Sequence, residues 1–153
     1  MIDMVRNYAS GFIFTTSLPP SAMAGSLASL EILSSSEGRY LRKKLRKNVN
    51  LLRTYLSDEG IPFLPGSSHI IPILIGDAEM CTRVSNELMD KFSIYVQAIN
   101  YPTVKRGESR LRVSTTPYHT EELINELVDA LLKVWSQFNL PRKFDYNINE
   151  ESK

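Results

Sequence analysis

Two arginines and a scatter of hydroxyls are the residues whose types and spacing suit chemistry. Arg110 and Arg112 stand in Arg110-Leu-Arg-Val-Ser-Thr115, where polar and apolar residues alternate. Alternation with period two is a strand pattern. Leu111, Val113 and Thr115 then share one face, and Arg110, Arg112, Ser114 and Thr116 the other. A guanidinium held on a strand offers a planar fork that grips a carboxylate through parallel, charge-assisted hydrogen bonds. Just upstream, Asn100-Tyr-Pro-Thr103 sets the Thr103 hydroxyl in a loop stiffened by Pro102, which suits selective recognition of a polar group. Thr15 and Thr16 precede Pro19-Pro20, a pair fitted to a helix start, where unpaired N–H groups favour an anion. Plainer readings stay open on pattern alone. Most arginines are simply solvated, Thr103 can serve its own turn, and Ser17 can cap the helix. Nor does pattern choose between Thr15 and Thr16.

The other reactive side chains point to structure. His69 and His119 are the only histidines, and neither has a partner at metal-ligand spacing, so zinc is not expected. His69 opens a strand and His119 precedes a helix cap. Cys81, the single cysteine, cannot form an internal disulfide and reads as a small buried hydrophobe.

These residues need a scaffold, and hydrophobic periodicity supplies one. Met1–Tyr8 reads as a short helix ended by Gly11, and Phe12–Thr16 as a short β-rich run. Ala22–Leu33 is a helix with small residues, broken by Ser34–Gly38. Leu41, Leu45, Val49, Leu52 and Leu56 mark a long amphipathic helix over Arg39–Ser57, stopped by Gly60 and Pro62. Its other face carries Arg42, Lys43, Lys44, Arg46, Lys47 and Arg53. That basic run reads as a solvated face, since no aromatic interleaving accompanies it. After Pro65-Gly66 come a strand over Ser68–Ile75, a helix over Glu79–Phe92, and strands over Tyr95–Asn100 and Arg110–Thr115. A last helix, capped by Thr120, has Leu123, Leu127, Leu131, Val134, Trp135 and Phe138 as its apolar face. The order from residue 68 is β-α-β-β-α, a small α+β layer with helices over one sheet face.

Composition excludes several classes. The 153 residues are 42% hydrophobic and 23% charged, with a net charge of +1, so no strong field argues for nucleic acid or a membrane surface. No stretch reaches the roughly 18 apolar residues of a membrane span, and Met1–Arg6 lacks the layout of a signal peptide.

Three stretches carry a resemblance. They are Tyr95-Val-Gln-Ala-Ile-Asn-Tyr-Pro-Thr-Val104 with Arg106-Gly-Glu108, Leu111-Arg112 and His119 behind it; Gly11-Phe-Ile-Phe-Thr-Thr-Ser-Leu-Pro-Pro20; and Ser68-His-Ile-Ile-Pro72. In this order and spacing they resemble the C-terminal part of the 5-aminolevulinate synthases, α-oxoamine synthases that depend on pyridoxal 5'-phosphate (PLP), over roughly residues 1 to 140. The resemblance implies an α/β fold, that of the fold-type I PLP-dependent transferases. Residues 1–64 would be the end of the PLP-binding large domain plus a long linking helix, 65–140 a C-terminal small α+β domain, and 141–153 a polar tail. It implies condensation of glycine with succinyl-CoA to 5-aminolevulinate, CoA and CO2, the first step of haem and tetrapyrrole synthesis. The enzyme would be a homodimer in the mitochondrial matrix of a eukaryote or the cytoplasm of a bacterium.

By residue, the resemblance gives Arg112 the glycine carboxylate and Thr103 the succinyl carboxylate. Thr15 or Thr16 takes the cofactor phosphate of the adjacent subunit. Lys105 stands where the family usually has proline, in a loop that the resemblance implies moves as a lid. The family's Schiff-base lysine lies upstream of Met1, and Lys43, the first lysine here, matches no cofactor motif. The expectation is a partial chain that does not turn over alone. Alternatives are another α-oxoamine synthase, such as an aminoketobutyrate ligase or an aminooxononanoate synthase, and a non-catalytic chain acting as an interaction module.

Overall fold

The computed structural model describes residues 1–142, so the expected polar tail lies, from residue 143 on, outside the described residues. The chain forms two compact units, Met1–Tyr40 and Leu41 onward.

The first unit is helical. It holds α1 (Ile2–Tyr8), α2 (Ser10–Ile13), α3 (Pro20–Ser34) and the start of α4 (Ser36–Asp58). The β-rich run expected over Phe12–Thr16 does not form a strand. Ser10–Ile13 closes one helical turn, with the Phe14 N–H donating to the Ser10 carbonyl at 3.0 Å, and Thr15 to Pro19 are irregular. The reason is local: a helical turn finds its acceptors within four residues, whereas a strand needs a partner, and among the described residues this unit offers none. α3 starts as its prolines suggest, with Pro19 at the N-cap and Pro20 at the first helical position. No side chain caps it, so Ser17 has no capping role. Ser35 alone separates α3 from α4, a tighter break than Ser34–Gly38. Its hydroxyl donates to the Ile32 carbonyl (2.7 Å) and accepts from the Gly38 N–H (3.3 Å). Glycine is required at 38, because a Cβ there would overlap the Ile32 and Leu33 carbonyl oxygens.

The second unit is a three-stranded antiparallel sheet backed by helices. Its elements are β1 (Ile70–Gly76), α5 (Ala78–Phe92), β2 (Gln97–Ile99), β3 (Ser109–Ser114) and α6 (Glu121–Gln137), with strand order β1-β3-β2. The β-α-β-β-α order is the one the periodicity predicts. β3 is the central strand, pairing Arg112 with Pro72 on one side and Gln97 on the other. Ile71, Ile73, Leu111 and Val113 share the inner face. They join one core with Val49, Leu52 and Leu56 of α4, Cys81, Val84 and Leu88 of α5, and Leu131, Val134 and Trp135 of α6. Full burial of such a side chain contributes about 1.5–3 kcal/mol.

Local signals set the boundaries. α4 ends where Gly60 takes φ +68°, with the Ile61 N–H returning to the Leu56 carbonyl at 2.8 Å. Asp77 caps α5 by accepting from the Met80 N–H (2.7 Å), and Thr120 caps α6 through the Leu123 N–H (3.4 Å). The buried face of α6 differs from expectation. Ile124, Val128 and Ala130 are buried, while Leu123 is 48% exposed and Phe138 only half-buried. Two adjoining stripes of α6 are apolar, and successive residues lie 100° apart, so packing against the sheet decides which stripe turns inward.

Candidate active site

The first two expected site residues stand on one hairpin, β2–β3. β3 carries Arg110 and Arg112, and the loop 100–108 before it carries Thr103. Alternation along β3 is as the pattern requires: Leu111, Val113 and Thr115 are buried, and Arg112 and Ser114 are exposed.

The two arginines, equivalent in sequence, differ in the fold. Arg110 is committed to the loop. Its Nη2 pairs with the Glu108 carboxylate at 2.9 Å and its Nε donates to the Glu108 carbonyl at 2.9 Å. Arg112 has no side-chain hydrogen bond or ion pair among the described residues. Its backbone is held by ladders on both sides, so its guanidinium projects from the most constrained strand of the sheet. A rigid base under an uncommitted fork is what a carboxylate clamp needs.

Thr103 is exposed at the tip of a turn. Its N–H donates to the Asn100 carbonyl at 3.0 Å, and its hydroxyl has no partner among the described residues. Arg106 stacks over the Tyr101 ring, 4.8 Å from its centroid. Asn100 ties the loop's beginning to α5 through the Ala78 carbonyl (3.3 Å) and the Thr82 hydroxyl (3.1 Å).

Thr15 and Thr16 belong to the other unit. Both are exposed in the irregular segment before α3, and the Thr15 hydroxyl makes only a 3.4 Å contact with the Thr16 carbonyl. Pro19 and Pro20 bring no N–H, so Ser21 is the first backbone donor of α3.

A cavity of about 280 Å³ opens beside β3, lined by Arg112, Val113, His119, Ile124 and Glu126 among others. Its walls are mainly apolar core side chains, and Glu126 would oppose a carboxylate, so the exposed strand face is the better seat for an anion. A second cavity of about 360 Å³ lies between α4 and Ser67–His69 and is lined by Arg42, Arg46 and Arg53. Arg53 there donates to the Ser68 carbonyl at 3.0 Å, a structural tie.

The His69 backbone and the His119 ring hold local structure, and Cys81 is buried. The His69 carbonyl accepts from the Thr115 hydroxyl at 3.2 Å, and the His119 ring Nδ1 accepts from the Thr116 N–H at 3.2 Å. Burial pushes the Cys81 thiol up to about 11, so it stays protonated and unreactive near neutrality. Among the described residues no cluster could hold a metal ion, and no helix is long and apolar enough to cross a membrane.

One buried polar tie beside the site is not read from pattern. Asn48, buried within the α4 stripe, donates through Nδ2 to the carbonyls of Thr116 (3.0 Å) and His119 (2.7 Å). It fixes the turn that follows β3. The available signal was an amide between Leu45, Val49 and Leu52 on an otherwise apolar face.

A profile of the family described as Aminotransferase class I and II matches residues 1–131. The chain belongs to that family. Among curated relatives, it is 49% identical over 141 residues to the erythroid-specific, mitochondrial 5-aminolevulinate synthase of Bos taurus, and 52% over 143 residues to the non-specific, mitochondrial one. These alignments cover 92% and 94% of the chain but only 24% and 22% of the relatives, so the chain spans about a quarter of their length. Among solved structures, the K265A variant of a serine palmitoyltransferase from S. paucimobilis with a bound PLP–myriocin aldimine superposes with a TM-score of 0.80 at 25% identity, covering 90% of this chain and 34% of that one. An 8-amino-7-oxononanoate synthase from Francisella tularensis gives 0.69 at 22%, covering 90% and 38%, a likeness of fold. The α/β fold of this aminotransferase family is therefore that of the fold-type I transferases.

Proposed function

We propose that the chain is the C-terminal part of a PLP-dependent 5-aminolevulinate synthase, condensing glycine with succinyl-CoA to give 5-aminolevulinate, CoA and CO2. Identity near one half with two such synthases, over more than nine-tenths of the chain, supports the reaction over other acyl transfers in the family. The observation that carries the site is Arg112, a guanidinium on the central strand with no side-chain partner among the described residues.

On this reading residues 1–64 end a cofactor-binding domain and its linking helix, and 65–140 form the small domain. The Arg112 fork would hold the glycine carboxylate and so set the orientation of the amino acid. The Thr103 hydroxyl donates to the distal carboxylate of the succinyl group, a contact that a donor lacking the carboxylate cannot make. Bound PLP supplies the electron sink for the α-carbon. The residues present fit its phosphate end: exposed Thr15 and Thr16 hydroxyls stand before a helix that no side chain caps. Among the described residues neither cavity is lined by a lysine, Lys91 is tied to Glu87 and Gln137, and Lys133 lies over Phe92. On this reading the cofactor lysine is supplied by the remainder of the longer synthase, and the working form is a homodimer in mitochondria, the compartment named for the relatives.

Two measurements test this. Borohydride reduction of the full chain with PLP, read by intact mass, is expected to give only scattered surface adducts; one stoichiometric adduct would overturn the assignment of the lysine. In the longer synthase, Arg112→Ala is expected to raise the glycine KM about 10–100-fold, the scale of a lost charge-assisted contact. A glycine KM within twofold of the parent would remove Arg112 from the clamp.

A further inference from the structure

We propose that Asn100 is a positioning residue for acyl-donor choice, pinning the root of the 100–108 loop so that the Thr103 hydroxyl is presented at a fixed place. The inference rests on the assignment of Thr103 to the acyl carboxylate and goes beyond it by naming what holds Thr103.

Asn100 joins two elements through one residue. Its side-chain nitrogen donates to the Ala78 carbonyl at 3.3 Å and the Thr82 hydroxyl at 3.1 Å, both in the first turns of α5. Its carbonyl accepts from the N–H of Thr103 at 3.0 Å and of Val104 at 3.4 Å. The helix end is itself fixed, because Asp77 caps it and Cys81 packs in the core. Thr103 is thus one hydrogen bond from a residue tied to a helix whose inner face is packed in the core. The loop's far root is held separately, by Arg110 on Glu108. Between the roots, Tyr101, Pro102, Thr103, Lys105 and Arg106 are exposed.

The chemistry requires an amide at position 100. The Thr82 hydroxyl donates to the Ala78 carbonyl at 3.0 Å, so toward Asn100 it acts as an acceptor. Both groups facing Nδ2 are then acceptors, which demand a donor. Aspartate has the same shape and would set a carboxylate against a carbonyl oxygen. Both side-chain hydrogen bonds of Asn100 lie at the exposed edge of α5, and Asn100 is not among the residues of the shared core. Truncation should therefore loosen the loop and leave global stability little changed.

Two readouts test the proposal. In the full chain, trypsin reaches the loop at Lys105 and Arg106. Cleavage there is expected to be about tenfold faster in Asn100→Ala and Asn100→Asp, and about threefold faster in Thr82→Val, because proteolysis follows the locally opened population. Thermal unfolding followed at Trp135 should be unchanged. Equal cleavage rates, or a fall in global stability that accounts for the cleavage, would overturn the anchor. In the longer synthase, the quantity to read is kcat/KM for succinyl-CoA over kcat/KM for butyryl-CoA, a donor of equal length without the distal carboxylate. Asn100→Asp is expected to lower that ratio about tenfold with glycine KM within about twofold. If Thr103→Ala leaves the ratio unchanged, the acyl-carboxylate assignment fails and this inference falls with it. If Thr103→Ala collapses the ratio and both Asn100 variants preserve it, the assignment stands and positioning by Asn100 is wrong.

Discussion

Unit Met1–Tyr40 and the unit that follows it are built from similar helices, yet they are held in different ways. In the first, α1, α2 and α3 bury no residue, and Met4, Phe12, Met23, Leu27 and Leu30 are each more than half exposed. No side chain caps any of these three helices. In the second, α5 and α6 are capped by Asp77 and Thr120, and their apolar stripes close on one core with the sheet. The contrast shows that apolar composition alone does not make a core. α3 is the more apolar helix, but its small and large residues are spread around the axis, whereas α5 and α6 concentrate theirs on one side. Such exposed apolar surface marks an interaction face. On the proposed reading it belongs to the rest of the cofactor-binding domain and the second subunit.

The comparison breaks most readily in the core. Leu131→Ala is expected to lower the unfolding free energy by about 2–5 kcal/mol, while Leu27→Ala on α3 should change it by less than about 0.5 kcal/mol. Urea denaturation followed by Trp135 fluorescence reads both, and a comparable loss from each would mean that the first unit shares the cooperative core.

A smaller effect is expected where buried polar groups replace packing. Asn48→Ala leaves the Thr116 and His119 carbonyls without their donor, at a cost of about 1–3 kcal/mol. Asn48→Asp should be at least as damaging, since it places a carboxylate against both carbonyl oxygens. A neutral result for Asn48→Ala would mean that water replaces the amide and that the turn after β3 is not fixed by α4.

The smallest effects concern the caps. Asp77→Ala should cost about 1 kcal/mol and Thr120→Ala about 0.5 kcal/mol, the order following their hydrogen bonds of 2.7 and 3.4 Å. Introducing a cap on α3 by Pro19→Ser should not raise the stability read at Trp135, if the first unit lies outside the cooperative core. A gain there would narrow the contrast between the units.

Element order and most boundaries of the second unit were legible from period, capping residues and glycine or proline stops, because those signals act over a few residues. The α6 stripe was misjudged at Leu123 and Phe138, since two neighbouring stripes qualify and only the sheet selects one. Phe12–Thr16 looked like a strand by composition, but pairing is non-local and no partner is present in its unit. Of the candidate site, sequence alone gives the residue types and their elements, Arg112 on a strand, Thr103 in a loop, and Thr15 and Thr16 before a helix; the bonds of Asn48 and Asn100 join residues far apart in the chain. Those contacts exist only once α4 and α5 are packed.

By itself the sequence determined the alternation of β3, the loop between Pro102 and Gly107, and most helix starts and stops. Each follows from backbone sterics and local hydrogen bonding. Tertiary structure alone decided which of two equivalent arginines is uncommitted. Arg110 and Arg112 share a strand, a face and a chemistry. They differ because the loop folds Glu108 back onto Arg110 and leaves Arg112 held between two strands, its guanidinium without a partner among the described residues.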